Sequence, residues 1–148
     1  MPTGDGARPA MLMAKPSWLI SEVSRLAHPL LTAKLATAGS RGYHYRLLAA
    51  LAEFGPASQA SLGRHTGVDR SDVAAAVHEL VTRGLARRAL DPADRRRNVI
   101  SITPAGTAHL QRLDKLLAGV QDELLAPLSP AERQQLTGLL NRILEHHA

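Results

Sequence analysis

Apolar positions recur in helical steps over most of this chain. Behind Pro16-Ser17, the residues Leu19, Val23, Leu26, Leu30, Leu31 and Leu35 follow at three- and four-residue intervals, which predicts a first long helix. Pro29 should kink it or start a new turn, because proline lacks the N–H that the helical ladder needs. Gly39-Ser40-Arg41-Gly42 ends it. A second helix is expected from about Tyr43 to Phe54, with Leu47, Leu48 and Leu51 as its stripe, stopped by Gly55-Pro56. A short third helix starts at Ser58, contains Leu62 and ends at Thr66-Gly67, where glycine suits a left-handed residue past the helix end. A fourth starts at Asp69, with Asp72 three residues on in the manner of a capping box. Its buried face is expected to be Val73, Val77, Leu80 and Val81, and Arg83-Gly84 closes it.

The period then changes. Leu85–Leu90 and Asn98–Thr103 are two strand candidates, the second alternating through Ile100 and Ile102. Asp91–Arg97 between them holds a proline and two aspartates and reads as a loop. Two strands with nothing else to pair with make a ribbon, so this is a hairpin hung on a helical body. Thr103-Pro104 opens a fifth helix, striped by Leu110, Leu113, Leu117, Val120 and Leu124 and ended by Pro127. Ser129-Pro130-Ala131-Glu132 is a full capping box with proline in the first turn. It launches a last helix carrying Leu136, Leu139, Leu140, Ile143 and Leu144. Residues 1–15 read as a flexible tail and 16–148 as one domain. The fold class is mainly α with a small β-hairpin wing.

Composition narrows what such a chain can do. At 148 residues it is long enough to bury a core, and 45% hydrophobic with 21% charged residues is ordinary for a globular domain. No apolar run approaches the roughly 18–20 residues that span a bilayer, so no membrane role is expected. The first fifteen residues lack the apolar stretch of a secretory signal, which makes a cytoplasmic location the expectation. Cysteine is absent, which excludes thiolate zinc sites, iron–sulfur clusters and thiol chemistry. The net charge is +5, and its distribution is uneven. Ten arginines against six acids between Arg41 and Thr103 place +4 there and leave +1 elsewhere. A concentrated basic region suits a polyanion partner, or else is a solvated arginine surface.

The short helix, the turn at Gly67-Val68 and the helix from Asp69 match a helix-turn-helix, and the hairpin behind it makes this a winged version. The segments "SQASLGRHTGVDRSDVAAAVHELVTRGLARR" (Ser58–Arg88) and "DPADRRRNVISITPAG" (Asp91–Gly106) together resemble the MarR family of winged helix-turn-helix transcription regulators, over roughly 17–147. The resemblance implies a homodimer on a pseudo-palindromic double-stranded DNA operator. It further implies that the regulator is usually a repressor, and that in many cases a small phenolic or other aromatic effector releases it. The DNA-binding lobe would be about 43–103, and helices about 17–38 and 104–147 would build the dimerisation body. The leucine stripes of the terminal helices have too little of the small lobe to pack on, which also calls for a second subunit.

Arg70, Ser71 and Asp72 begin the recognition helix, and Ala75, Ala76 and Glu79 are read as extending its outer face. Small side chains let a helix settle into a major groove and meet thymine methyls, although alanines also simply favour helix. Ser58 and Gln59 open the third helix, where N–H groups and hydroxyls suit a phosphate; the competing reading of Ser58 is an N-cap and nothing more. In the wing, Asp94 matches the family's bracing aspartate and Arg96 its minor-groove arginine, while Arg95 and Arg97 are read as phosphate contacts. The competing reading is a surface ion pair of little energetic value.

The seven histidines show no metal-ligand spacing, and no catalytic triad, phosphate loop or carboxylate pair is present, so neither metal, cofactor nor catalysis is expected. The family's effector crevice makes His28, Tyr43 and His44 candidate effector contacts. Core packing or an interfacial hydrogen bond competes for the same residues. The alternative function is a winged-helix protein-interaction module without specific DNA binding, against which the five arginines from Arg87 to Arg97 argue.

Overall fold

The computed structural model describes residues 5–148. Of the tail expected over 1–15, residues 1–4 lie outside the described residues, and Ala10–Met13 form a single helical turn, α1. The remaining order is α2 (Pro16–Ala36), α3 (Gly42–Phe54), α4 (Gln59–Thr66), α5 (Arg70–Thr82), β1 (Ala86–Leu90), β2 (Asn98–Ile102), α6 (Pro104–Leu124) and α7 (Pro130–His147). The chain divides into two compact units, one of residues 29–117 and one made by the two chain ends, up to His28 and from Ala118. Helices α2 and α6 each contribute to both.

In the unit 29–117, α3, α4 and α5 pack on one another and on the hairpin around Leu47, Leu48, Leu51, Leu62, Val73, Val77, Leu80 and Ile100. A second, smaller cluster joins Leu35 and Ala38 at the end of α2 to Leu113 and Leu117 of α6. The hairpin is antiparallel with Ala86 opposite Ile102 and Leu90 opposite Asn98. The ribbon has a third partner that the pattern did not predict. Ala57, in the link between α3 and α4, exchanges two backbone hydrogen bonds with Ile100, at 3.0 and 2.8 Å. This ties the base of the wing to the helix-turn-helix and satisfies two edge groups of β2.

Local signals set most ends. Ser58 Oγ accepts from the Ser61 N–H at 3.2 Å, and Gly67 ends α4 at φ +67°. Thr103 Oγ accepts from the Gly106 N–H at 3.0 Å and its hydroxyl donates to the Gly84 carbonyl at 2.7 Å, so it caps α6 and closes the hairpin at once. Gly106 has a stricter reason to be glycine. A Cβ there would lie 2.0 Å from the Leu85 carbonyl oxygen.

Two expectations need correction. The capping box at Asp69 is not made: Asp69 caps α5 by position alone, and its carboxylate accepts from the Ser71 hydroxyl at 2.6 Å instead. Val81 is only half-buried at the edge of the core. Pro29, where a kink or a new turn is expected, lies inside α2, which continues through it.

In the unit of chain ends, the α7 box forms as expected: Ser129 Oγ accepts from the Glu132 N–H at 3.2 Å and Glu132 accepts from the Ser129 N–H at 2.9 Å. Arg133 reaches Asp122 at 2.8 Å and the Leu128 carbonyl at 3.2 Å, fixing the turn between α6 and α7. No residue of α7 is buried.

Candidate nucleic-acid interface

Helix α5 has two faces with different chemistry. Val73, Ala76, Val77 and Leu80 fill the core at the i, i+3, i+4, i+7 positions, while Arg70, Ser71, Ala74, Ala75, His78 and Thr82 are exposed. Ala76, expected on the outer face, does not face a groove. It is fully buried, because it falls one turn after Val73 and one turn before Leu80. Glu79 does not extend the outer face either; it turns toward Arg41 and His44. Ala74 and His78 share the open face with Ser71 and Ala75, and the sequence shows it, since Ala74 lies three residues after Ser71 and His78 four after Ala74. Asp72 is half-buried at the start of the helix.

Gln59, Ala60, Gly63, Arg64, Val68 and Arg70 line a shallow cleft between α4 and α5. Arg64 is held by the Ser61 hydroxyl at 3.0 Å, so this cleft carries two guanidiniums. Ser58 lies at its helix start with its hydroxyl oxygen engaged in capping.

The wing tip is a braced loop. The Asp91 N–H donates to the Arg97 carbonyl at 2.8 Å, the Arg97 N–H to the Asp94 carbonyl at 3.0 Å, and the Ala93 N–H to the Asp91 carboxylate at 2.9 Å. Asp94 Oδ1 accepts from the Arg96 N–H at 3.1 Å and from its Nε–H at 3.2 Å. These two bonds, with the charge of Arg97 nearby, hold the Asp94 carboxyl below its ordinary range. The Arg96 side chain is 91% exposed, and Arg95 and Arg97 are exposed beside it. Arg87 and Arg88 stand exposed on β1.

The residues considered for a small-molecule pocket fall in both units. His28 is exposed and belongs to the unit of chain ends, whereas Tyr43 and His44 belong to the other. Tyr43 packs against the main core. His44 is buried, and both ring nitrogens are engaged: Nδ1 accepts from the Arg41 N–H at 3.0 Å, and Nε2–H donates to Glu79 Oε2 at 2.6 Å. Burial lowers its pKa, opposed by the Glu79 contact and assisted by the charges of Arg41 and Arg83. Glu79 also pairs with Arg41 Nη2 at 2.6 Å. Burial acts to raise the Glu79 carboxyl, but the hydrogen bonds from Arg41 and His44 prevail and hold it below its ordinary value. Behind this pair, Arg83 donates to the Gly39 carbonyl at 2.8 Å and to Ser40 Oγ at 3.1 Å, and Ser40 bonds His109 Nε2 at 2.7 Å.

The family model described as MarR family matches residues 39–97, from the loop before α3 through the wing tip. A solved structure of a probable transcriptional regulator from Pseudomonas aeruginosa is 32% identical, covers 89% of this chain and 98% of its own, and superposes with a TM-score of 0.78. The chain belongs to the MarR family of winged-helix regulators. Among other similar proteins, the HTH-type transcriptional repressor NicR of Pseudomonas putida is 31% identical over 98 residues, which are 66% of this chain and 62% of that protein. The PcaV transcriptional regulator of Streptomyces coelicolor, solved in complex with its natural ligand, is 26% identical with a TM-score of 0.77 and covers 97% of this chain and 100% of its own. This MarR-family chain spans about three fifths of the length of the curated relatives it matches. The family match contains α4, α5 and the whole run Asp91–Arg97, so the open face of α5 and the three wing arginines sit inside the part that defines the family.

Proposed function

We propose that this MarR-family chain is a DNA-binding transcription regulator, a repressor that binds a two-fold operator as a homodimer and leaves it on binding a small aromatic effector. The observation that carries the reading is the wing. Three consecutive arginines stand exposed on a loop tied by its own backbone, and one of them is held by Asp94. Exposed like charges so arranged are placed for phosphates and a narrow minor groove. Arg96 enters that groove, Arg95 and Arg97 meet phosphates, and Ser58, Gln59, Arg64 and Arg70 meet the backbone around the α4–α5 cleft. Ser71, Asp72 and Ala75, with Ala74 and His78, face the major groove.

The lobe of about 43–103 binds the DNA, and the helices of about 17–38 and 104–147 form the dimer body. Ile20, Val23, Leu26, Leu139, Leu140, Ile143 and Leu144 are exposed in the single chain, an apolar surface that a second copy would cover. His28 and Tyr43 remain the candidate effector contacts; His44 is the weaker one, since both its nitrogens are already used. Repression is supported by the likeness to a repressor, and effector control by the likeness to a regulator solved with its ligand. Among the described residues no helix is long and apolar enough to cross a membrane, and the site of action is the cytoplasm, where the DNA is. The work is binding, not catalysis.

The test is to recover duplexes from a random pool on the full-length protein and to titrate them by anisotropy at several salt concentrations. Arg96→Ala should cost about 1–3 kcal/mol on the recovered duplex and relax preference at the groove it enters. Arg95→Ala or Arg97→Ala should weaken recovered and scrambled duplexes alike and lower the salt slope by about one per lost contact in each subunit. Unchanged affinity and salt slope in folded Arg96→Ala would remove the wing from the interface, and a protein that recovers no duplex would favour a protein-interaction module.

A further inference from the structure

Resting on the DNA-binding reading above, we infer that His44 is a positioning residue: it holds α5, the helix aimed at the major groove, to the start of α3 only while its imidazole is neutral, so that acid weakens DNA binding.

The argument starts from hydrogen counting. A neutral imidazole has one donor and one acceptor, and His44 spends both. Its Nδ1 lone pair takes the Arg41 N–H at 3.0 Å, one of the donors that the first turn of α3 leaves without an intrahelical partner. Its Nε2–H meets Glu79 Oε2 on α5 at 2.6 Å. An imidazolium carries hydrogen on both nitrogens. A proton on Nδ1 would point at the Arg41 N–H, so the ring cannot charge without giving up the cap of α3.

The groups that face the ring work in both directions. Glu79 of α5 favours the charged form, while Arg41 at the start of α3 and Arg83 behind α5 oppose it, and His109 of α6 lies within electrostatic reach. The Glu79 carboxylate is already shared with Arg41 at 2.6 Å, and the His44 side chain is only 4% exposed. Burial and the two arginines outweigh Glu79, and the ring is held below its ordinary value near 6.5. The folded protein therefore binds fewer protons than the unfolded chain just below that value. Its stability is fully present above it and falls as pH drops through it. His109, lowered first by burial and then by Arg83 and Arg112, acts in the same sense, and it bonds Ser40 in the same loop. That loop also receives Arg83 of the α5 end, so a change at Arg41–His44 reaches α5 at two places, Glu79 and Arg83.

The sign separates this device from plain electrostatics. Acid makes a protein surface more positive, which by itself tightens binding to phosphates. The His44 clamp has the opposite effect.

The experiment measures affinity of the full-length protein for a duplex recovered from a random pool, at about pH 7.5 and about pH 5.5 and constant ionic strength, with thermal unfolding alongside. Wild type should bind several-fold more weakly at the lower pH than at the higher. His44→Asn keeps an acceptor where Nδ1 lies and cannot titrate. It should bind less well than wild type at the higher pH and show a smaller acid loss, since His109 alone then acts in that sense. Glu79→Gln keeps one acceptor, which can serve the His44 ring, but gives up the bond from Arg41 and removes the anion that favours the imidazolium, and should move the acid loss to lower pH. Wild-type binding that is constant or tighter in acid, or an acid loss undiminished in His44→Asn, overturns the inference. Absence of duplex binding at the higher pH overturns the DNA reading instead. The unfolding data then decide the clamp: a wild-type advantage in Tm over His44→Asn that closes in acid supports it, and one that stays constant overturns it.

Discussion

Residues 29–117 bury Leu47, Leu48, Leu62, Leu80, Ile100 and Leu113 completely, while the unit of chain ends leaves Ile20, Val23, Leu26, Leu139, Leu140, Ile143 and Leu144 exposed. The two regions carry similar leucine-rich helical stripes. In the first, helices of different direction and a hairpin supply apolar faces from several sides, so each stripe finds a cover within the chain. In the second, α7 buries no residue at all. A stripe specifies which face of a helix is apolar, and it does not specify whether the cover comes from the same chain or another. One region is a closed core. The other leaves an apolar stripe open.

The contrast can be broken outright by deleting Ser129–Ala148. This removes five large aliphatic side chains, each worth roughly 1.5–3 kcal/mol when covered. The product should be monomeric or insoluble by light scattering, and a well-folded dimer would show that α7 is not the missing cover.

A paired substitution sharpens it. Leu80→Ala should cost about 2–5 kcal/mol by chemical unfolding at any protein concentration, because the cavity forms inside one chain. Leu140→Ala should cost less, and its effect should depend on protein concentration, because the contact is lost only in the dimer. Equal and concentration-independent losses would erase the distinction.

Gly106→Ala tests how tightly the closed region is packed. The added methyl meets the Leu85 carbonyl oxygen and the Ile102 side chain, and overpacking of this kind costs about 1–3 kcal/mol. The smallest effect is expected at the open region's own cap. Ser129→Ala should cost about 1 kcal/mol of α7 stability, read as faster amide exchange in its first turn.

How much of this was legible depended on how far apart in sequence the partners lie. Ser58 with Ser61, Thr103 with Gly106, and Ser129 with Glu132 are each three residues apart, and each was readable as a helix start. Asp94 and Arg96 are two apart on one loop, and their contact needs little beyond the turn itself. Asp69 shows the limit of local reading: the box residues are present, but the adjacent Ser71 hydroxyl engages the carboxylate. Ala75 and Ala76 are chemically the same residue, and assigning them opposite faces required the exact phase of α5 against the core.

Caps, turns, helix periods, the arginine-rich wing and the family itself are determined by the sequence, because each rests on residues within a few positions of one another or on a motif of fixed spacing. Only the tertiary structure decides that Ala76 is inside, that Ala57 pairs with Ile100, that a carbonyl from Leu85 leaves Gly106 no room for a methyl, and that His44 meets Glu79 across 35 positions. Those contacts arise where elements cross, and the crossing is set by the summed packing of a core to which no single pair of residues contributes more than a small part.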